Sequence, residues 1–266
     1  MKGLTCERVI EVGGERVRFR VAGSGRALVL IHGLAASAWW WRRNLAALSS
    51  RYRVHLIDLP GFGGMGRRRG RLDLSAMPEW LAEWMEVAIA GPAAGVVGHS
   101  MGAMVALRVA AQRPDLVSRL VLVAPAGIPT GRGALGQLAP LAWSLRLRPT
   151  WLVARACRDA IAAGPVMLCR CVRSILADDV RADLERVAMP TLVVWGEHDE
   201  LVPIRLRDEI DPLPNVRHTV VAGAAHVPMA ERPLEFNRIV LGFLDEPHSQ
   251  SVMNGSTSAA TSPGAE

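Results

Sequence analysis

Ser100 lies in Gly98-His99-Ser100-Met101-Gly102, between two glycines. A serine hydroxyl is a poor nucleophile unless a base removes its proton and the backbone holds it exposed. Glycines two residues away on either side fit a chain that turns sharply from a strand into a helix. In such a turn the serine takes strained dihedrals and larger neighbouring side chains would collide. The base has to be found among seven histidines. His226, in Gly223-Ala224-Ala225-His226-Val227-Pro228, is the best placed, after the last strand-like stretch and before the last helix-like one. A histidine base needs an acid to orient it. Glu197-His198-Asp199-Glu200 offers one just past the preceding strand, with Asp199 the candidate and Glu197 and Glu200 its rivals.

Acyl transfer through such a serine creates a negatively charged oxygen, which needs donors. One is the N–H of Met101, directly after the serine at a helix N-terminus, where the dipole favours negative charge. The second is expected from His32-Gly33-Leu34-Ala35-Ala36-Ser37. There Gly33 lets the backbone approach closely and the Leu34 N–H donates. The other histidines are read as structural: His99 packing on the core, His32 bracing its loop, His198 beside the acid, His55 and His218 on strands, and His248 in the tail.

Strands and helices must bring these residues together. Glu7–Val12 and Arg16–Ala22 read as a hairpin around Gly13-Gly14. Ala27–Ile31, Tyr52–Leu59, residues 93–97, Leu120–Ala124, Thr191–Trp195 and Val216–Ala222 read as strands. Trp39–Leu48 and Met101–Gln112 read as helices, the second stopped before Pro114. A closing helix from about Glu231 places Phe236, Ile239, Val240, Phe243 and Leu244 on one apolar stripe. Apolar strands alternating with helices argue for an α/β fold with a mostly parallel central sheet covered on both faces. Residues 128–188 interrupt the alternation as three or four helices with no strand. The expected organisation is a core of residues 1–127 and 189–246, a helical cap or lid at 128–188, and a disordered Ser/Thr/Gly/Ala-rich tail at 247–266.

A chain of 266 residues suits one large α/β domain. No apolar run reaches the roughly 18 residues of a membrane span, and the first residues carry no secretory signal, so a cytoplasmic enzyme without stable membrane insertion is expected. The +6 charge comes from arginine, Lys2 being the only lysine. The run Arg67-Arg68-Arg69-Gly70-Arg71 has no interleaved aromatics and reads as a solvated loop, not a nucleic-acid patch. Cys6, Cys157, Cys169 and Cys171 lack zinc or redox spacing and are read as reduced, mostly buried thiols. Neither metal nor cofactor is expected, and the state is monomer or homodimer.

Five blocks carry a resemblance: His32-Gly33, Asp58-Leu59-Pro60-Gly61-Phe62-Gly63, Gly98 to Gly102, Gly196 to Asp199, and Ala225-His226. Across about residues 15–245 the chain resembles the α/β-hydrolase-fold family of the Ser-His-Asp type. The resemblance implies the order nucleophile Ser100, acid Asp199, base His226, and it favours Asp199 over both neighbouring glutamates. Members that open epoxides or displace halide use aspartate at this turn, so Ser100 implies hydrolysis of carboxylic esters or thioesters through an acyl-enzyme. It also leaves open carbon–carbon bond hydrolases of ring-cleavage pathways, cofactor-free perhydrolases or acyltransferases, and non-catalytic ligand receptors. The substrate is expected to be a small to medium, apolar molecule. Gly33 and the lid residues Trp143 and Trp151 are its candidate contacts, and lid arginines such as Arg155 and Arg158 are candidate anchors for an anionic group. Most of the lid's large apolar residues are expected to pack the lid onto the core.

Overall fold

Residues 5–65, 73–133, 135–137, 139–142, 150–210 and 213–247 are described by the computed structural model of the chain. The arginines at 67–71, Trp143 and the tail beyond residue 247 lie outside the described residues.

The chain opens with the expected hairpin. Strand β1 (Cys6–Val12) pairs antiparallel with β2 (Glu15–Ala22). Gly13 and Gly14 carry φ of +54° and +76°, which a side chain would strain. Six further strands follow: β3 (Ala27–Ile31), β4 (Arg53–Ile57), β5 (Gly95–His99), β6 (Leu120–Val123), β7 (Thr191–Gly196) and β8 (Val216–Val221). They complete an eight-stranded sheet in the order β1-β2-β4-β3-β5-β6-β7-β8. All pairings from β4 to β8 are parallel. The central strands β3, β5 and β6 are almost wholly buried, because helices cover both faces and leave no polar side to alternate with.

Two apolar clusters lie on opposite faces. One gathers Val29, Ile31, Ile57 and Val96 beneath α2 (Met77–Ala88) and α3 (Met101–Gln112). The other gathers Leu28, Leu30, Leu56 and Val97 beneath α1 (Leu45–Ser49) and the closing helix. Helix α2 falls in a stretch to which the sequence reading assigns no element. The expected Trp39–Leu48 helix is instead a 3-10 turn, Ala38–Arg43, followed by α1. The break falls at Asn44, whose side-chain amide donates to the Met229 carbonyl and to Asn237.

Between β6 and β7 come helical residues 139–142 and then α4 (Thr150–Ala163), α5 (Pro165–Leu176) and α6 (Arg181–Glu185). These inserted helices touch loops that leave the carboxyl ends of the strands. Met167 of α5 lies where a Cβ on Gly61 would stand. Trp151 of α4 packs edge-on against Trp39, ring centroids 6.0 Å apart. The guanidinium of Arg42 lies over both rings, 3.9 and 4.4 Å from their centroids. At the far end, Arg108 of α3 binds Asp178 and Asp183.

The chain ends with α7 (Pro228–Glu231) and α8 (Pro233–Leu244). Phe236, Val240, Phe243 and Leu244 are buried as the stripe requires. The thiols depart from expectation. Cys6, Cys157 and Cys169 are exposed and only Cys171 is buried, since Cys6 lies on the edge strand and the other two point outward from the inserted helices. Among the described residues no helix is long and apolar enough to cross a membrane.

Candidate active site

From β3 the chain moves outward to β4 on one side, and β5 then pairs with β3 on the other. Such a reversal opens a crevice at the strands' carboxyl ends. The loop after β3, beginning His32-Gly33, and the turn after β5 at Ser100 therefore meet there.

Ser100 has φ 52° and ψ −117°, a left-handed conformation that costs an L-residue on the order of 1–3 kcal/mol and persists only where surroundings enforce it. The flanking glycines show the enforcement. A Cβ on Gly98 would stand 2.6 Å from Ala103 Cα, and one on Gly102 would stand 2.8 Å from the Ile31 carbonyl oxygen. Strand β5, helix α3 and the end of β3 thus touch backbone to backbone. The Ser100 N–H donates to the Val123 carbonyl at 2.9 Å, and its own carbonyl accepts from Ala103, Met104 and Ala126.

His226 Nε2 lies 3.1 Å from Ser100 Oγ, and His226 Nδ1 lies 2.8 Å from Asp199 Oδ2. An ionised carboxylate only accepts, so Nδ1 carries the proton and Nε2 is left to receive one from the serine. The other Asp199 oxygen accepts from the amides of Leu201 (2.9 Å) and Val202 (3.0 Å), which fixes the carboxylate plane. The strand end and the histidine loop are also in backbone contact: a Cβ on Gly196 would stand 2.8 Å from the Ala225 carbonyl carbon. Asp199 is 4% exposed and His226 8%, so the pair works largely out of water. The rival acids go elsewhere. Glu197 accepts from the Gly223 amide, and the carboxylate of Glu200 lies 4.0 Å from Arg132.

Gly33 lies against the serine; a Cβ there would stand 3.1 Å from Ser100 Cβ and 2.8 Å from His99 Nδ1. Leu34 follows and is partly buried, and Ala35 turns the chain at φ 51°. Met101 begins α3, so its amide is one of the helix's first N–H groups, which have no carbonyl within the helix to bind. His32 braces this loop as expected. Its Nδ1 donates to the Gly33 carbonyl at 2.8 Å and its Nε2 accepts from the Leu59 amide at 3.0 Å. Complete burial pushes its pKa down despite Asp58 nearby.

Several residues at this site escaped the sequence reading. Asp58 accepts from the Ala38 amide at 2.6 Å and the Gly64 amide at 2.8 Å, fastening the loop after β3 to the loop after β4. His99 does more than pack: its Nε2 donates to the His226 carbonyl at 2.8 Å. Asp159, Ser37 and Trp40 form a buried polar cluster beside the Gly33 loop. The signal for Asp159 is present in the sequence, as it is the sole acid between Asp115 and Asp178. Trp151 stands at the junction of inserted helices and core, its ring occupied by Trp39, Arg42 and Arg43. Among the described residues no cluster of three or more His, Cys, Asp or Glu could hold a metal ion.

Residues 28–239 match the alpha/beta hydrolase family. The chain belongs to that family. It is similar to the pimeloyl-[acyl-carrier protein] methyl ester esterase of Aeromonas hydrophila, with 32% identity over 84% of this chain and 96% of that protein. Among solved structures it is similar to a serine hydrolase involved in carbazole degradation (TM-score 0.75, 25% identity, 90% of this chain and 98% of the other). It is equally similar to a membrane phospholipase A described as a bacterial virulence factor (TM-score 0.76, 25% identity, 91% and 86%).

Proposed function

We propose that this protein is a serine hydrolase of carboxylic esters, thioesters included, acting on a small to medium, apolar acyl or alkyl substrate without a cofactor. The hydrogen-bonded chain from Ser100 through His226 to Asp199 carries the reading. The naming of the Aeromonas relative as a methyl ester esterase supports it.

In the first half-reaction Ser100 Oγ attacks the ester carbonyl carbon as its proton passes to His226 Nε2. Asp199 holds the imidazole in the tautomer that can accept it and stabilises the imidazolium. The carbonyl oxygen, now negative, is held by the amides of Leu34 and Met101. Each such donor typically contributes roughly 10²–10³ in rate. Collapse breaks the ester C–O bond, and the departing alkoxide takes the proton from His226. Water then attacks the acyl-enzyme by the same route in reverse, releasing the acid and restoring Ser100. Gly33 permits the substrate carbonyl to approach the donors. Helices α4, α5 and α6 act as a cap over the crevice, where they would set acyl-chain selectivity and exclude water.

A burst of p-nitrophenol from a short-chain p-nitrophenyl ester, with covalent labelling by a fluorophosphonate, is the expected result, and both disappear in Ser100→Ala. A protein that shows neither burst nor labelling is not a serine esterase.

A further inference from the structure

The mechanism leaves Asp159, a buried carboxylate beside the site, without a task. Asp159, on cap helix α4, is 5% exposed and is the only acidic residue between Asp115 and Asp178. Burying a lone charge is costly unless donors surround it. Here four do: Ser37 Oγ and Trp40 Nε1 donate to its Oδ2 at 3.0 Å each, and Arg155, one turn earlier on α4, donates to both oxygens at 2.9 Å. Arg155 also donates to Ser37 Oγ at 2.8 Å, which closes the cluster.

Two of these donors come from the core, and each leads into the reaction centre. Ser37 ends the loop that begins with Gly33 and Leu34, and the next residue, Ala38, gives its amide to Asp58 of the core. The far end of the oxyanion loop is therefore held by two carboxylates, one from the core and one from the cap. Trp40 stacks on His99, ring centroids 6.4 Å apart and planes 22° from parallel, and His99 donates to the backbone carbonyl of His226. A continuous set of contacts runs from α4 to the loop that supplies the Leu34 amide and to the backbone of the base.

We propose that Asp159 is a positioning residue that couples docking of cap helix α4 to the placement of the oxyanion loop and of His226. The core clamp at Asp58 is present whatever the cap does, whereas the Asp159 clamp exists only while α4 is docked. Lifting the cap would free Ser37 and Trp40 together and loosen both the donor loop and the base. Closure over a substrate would thereby assemble the site, and water entering an open crevice would meet an incomplete one. The proposal rests on the serine-esterase reading given above.

Asp159→Asn keeps the shape but removes the charge that pairs with Arg155 and replaces one accepting oxygen by an NH2 that can only donate, so the four donors can no longer all be satisfied. Misplacement of about 1 Å can cost about 10² in rate. We expect Asp159→Asn to lower kcat on p-nitrophenyl butyrate by about 10–100-fold with KM changed less than about threefold, and to slow fluorophosphonate labelling to match. Trp40→Phe removes the indole N–H while retaining a ring, and guards against a fold defect in the first variant. It should give part of the loss, and the double variant should be no worse than Asp159→Asn alone, because both break one network. Hydrogen exchange supplies a readout independent of turnover. In Asp159→Asn the amides of residues 34–41 and 223–227 should exchange faster, while those of β3 and β5 keep wild-type protection. A variant with kcat within twofold of wild type, or with faster exchange confined to 150–163, would make Asp159 a plain structural anchor and overturn the proposal. If the wild type neither labels nor turns over esters, the esterase reading fails, and the exchange pattern still decides the coupling.

Discussion

Gly33 and Ser100 are packed so closely that a single methyl group on Gly33 would stand 3.1 Å from the serine Cβ. The loop after β3 and the turn that presents the Ser100 hydroxyl are therefore in close contact at Gly33, where the sheet reverses its strand order. Gly33→Ala should expose this. The added Cβ also meets His99 Nδ1 at 2.8 Å, so the loop, the imidazole or the serine must shift. Activity is expected to fall by about 10–100-fold, and stability by about 1–3 kcal/mol from overpacking. Steady-state kinetics beside thermal unfolding measures both, and kcat/KM within twofold of wild type would mean that the loop yields freely.

The choice among the three neighbouring acids is testable by removing one charge at a time. Asp199→Asn should reduce kcat by about 10⁴, the size of effect typical when the orienting carboxylate of such a histidine is neutralised. Glu197→Gln keeps an acceptor for the Gly223 amide and should leave kcat within about twofold. Equal losses in the two variants would contradict the geometry.

Acid should destabilise the fold through His55. Burial, with the Arg53 charge adding to it, lowers its pKa from 6.5 to about 4. Phe19 stacks on one side of the ring and Trp84 meets it edge-on. Between about pH 6.5 and 4 the unfolded chain binds this proton and the folded chain does not, so stability is present above that window and is lost as the pH falls through it. The loss is on the order of 2 kcal/mol after allowance for solvent screening. His32, also shifted downward, adds in the same direction. Urea unfolding at about pH 7 and pH 4.5 should show a smaller drop for His55→Gln than for wild type; an identical drop would remove His55 from the account.

Trp151 can be assigned by separating stability from affinity. Its ring closes on Trp39 and the Arg42 guanidinium, contacts worth about 1–3 kcal/mol together. Trp151→Ala should lower the unfolding midpoint and raise amide exchange across 150–163. A raised KM for longer acyl esters with an unchanged midpoint would place the ring on the substrate instead.

Much of the fold was legible because it rests on local pattern. The hairpin at Gly13-Gly14, the buried strands and the stripe from Phe236 to Leu244 follow from turn chemistry and periodicity, which short stretches of chain express by themselves. Helix α2 and the break at Asn44 were less legible, the latter because Asn44 answers to Met229 and Asn237 far along the chain.

The sequence by itself determined the candidate hydroxyl, since glycines at 98 and 102 leave room for the turn that holds Ser100 at positive φ, and it determined the order of Ser100, Asp199 and His226 along the chain. Charge and spacing alone left the acid open, with the family resemblance favouring Asp199, and the tertiary structure sets that carboxylate against His226. Glu197, Asp199 and Glu200 are equivalent in charge and nearly so in position, and the amides of Leu201 and Val202 aim one of them at the imidazole. It also decided that Asp159, 122 residues from Ser37, belongs beside the active site. A hydrogen bond between such distant residues depends on how helices pack on a sheet, and no local propensity encodes that.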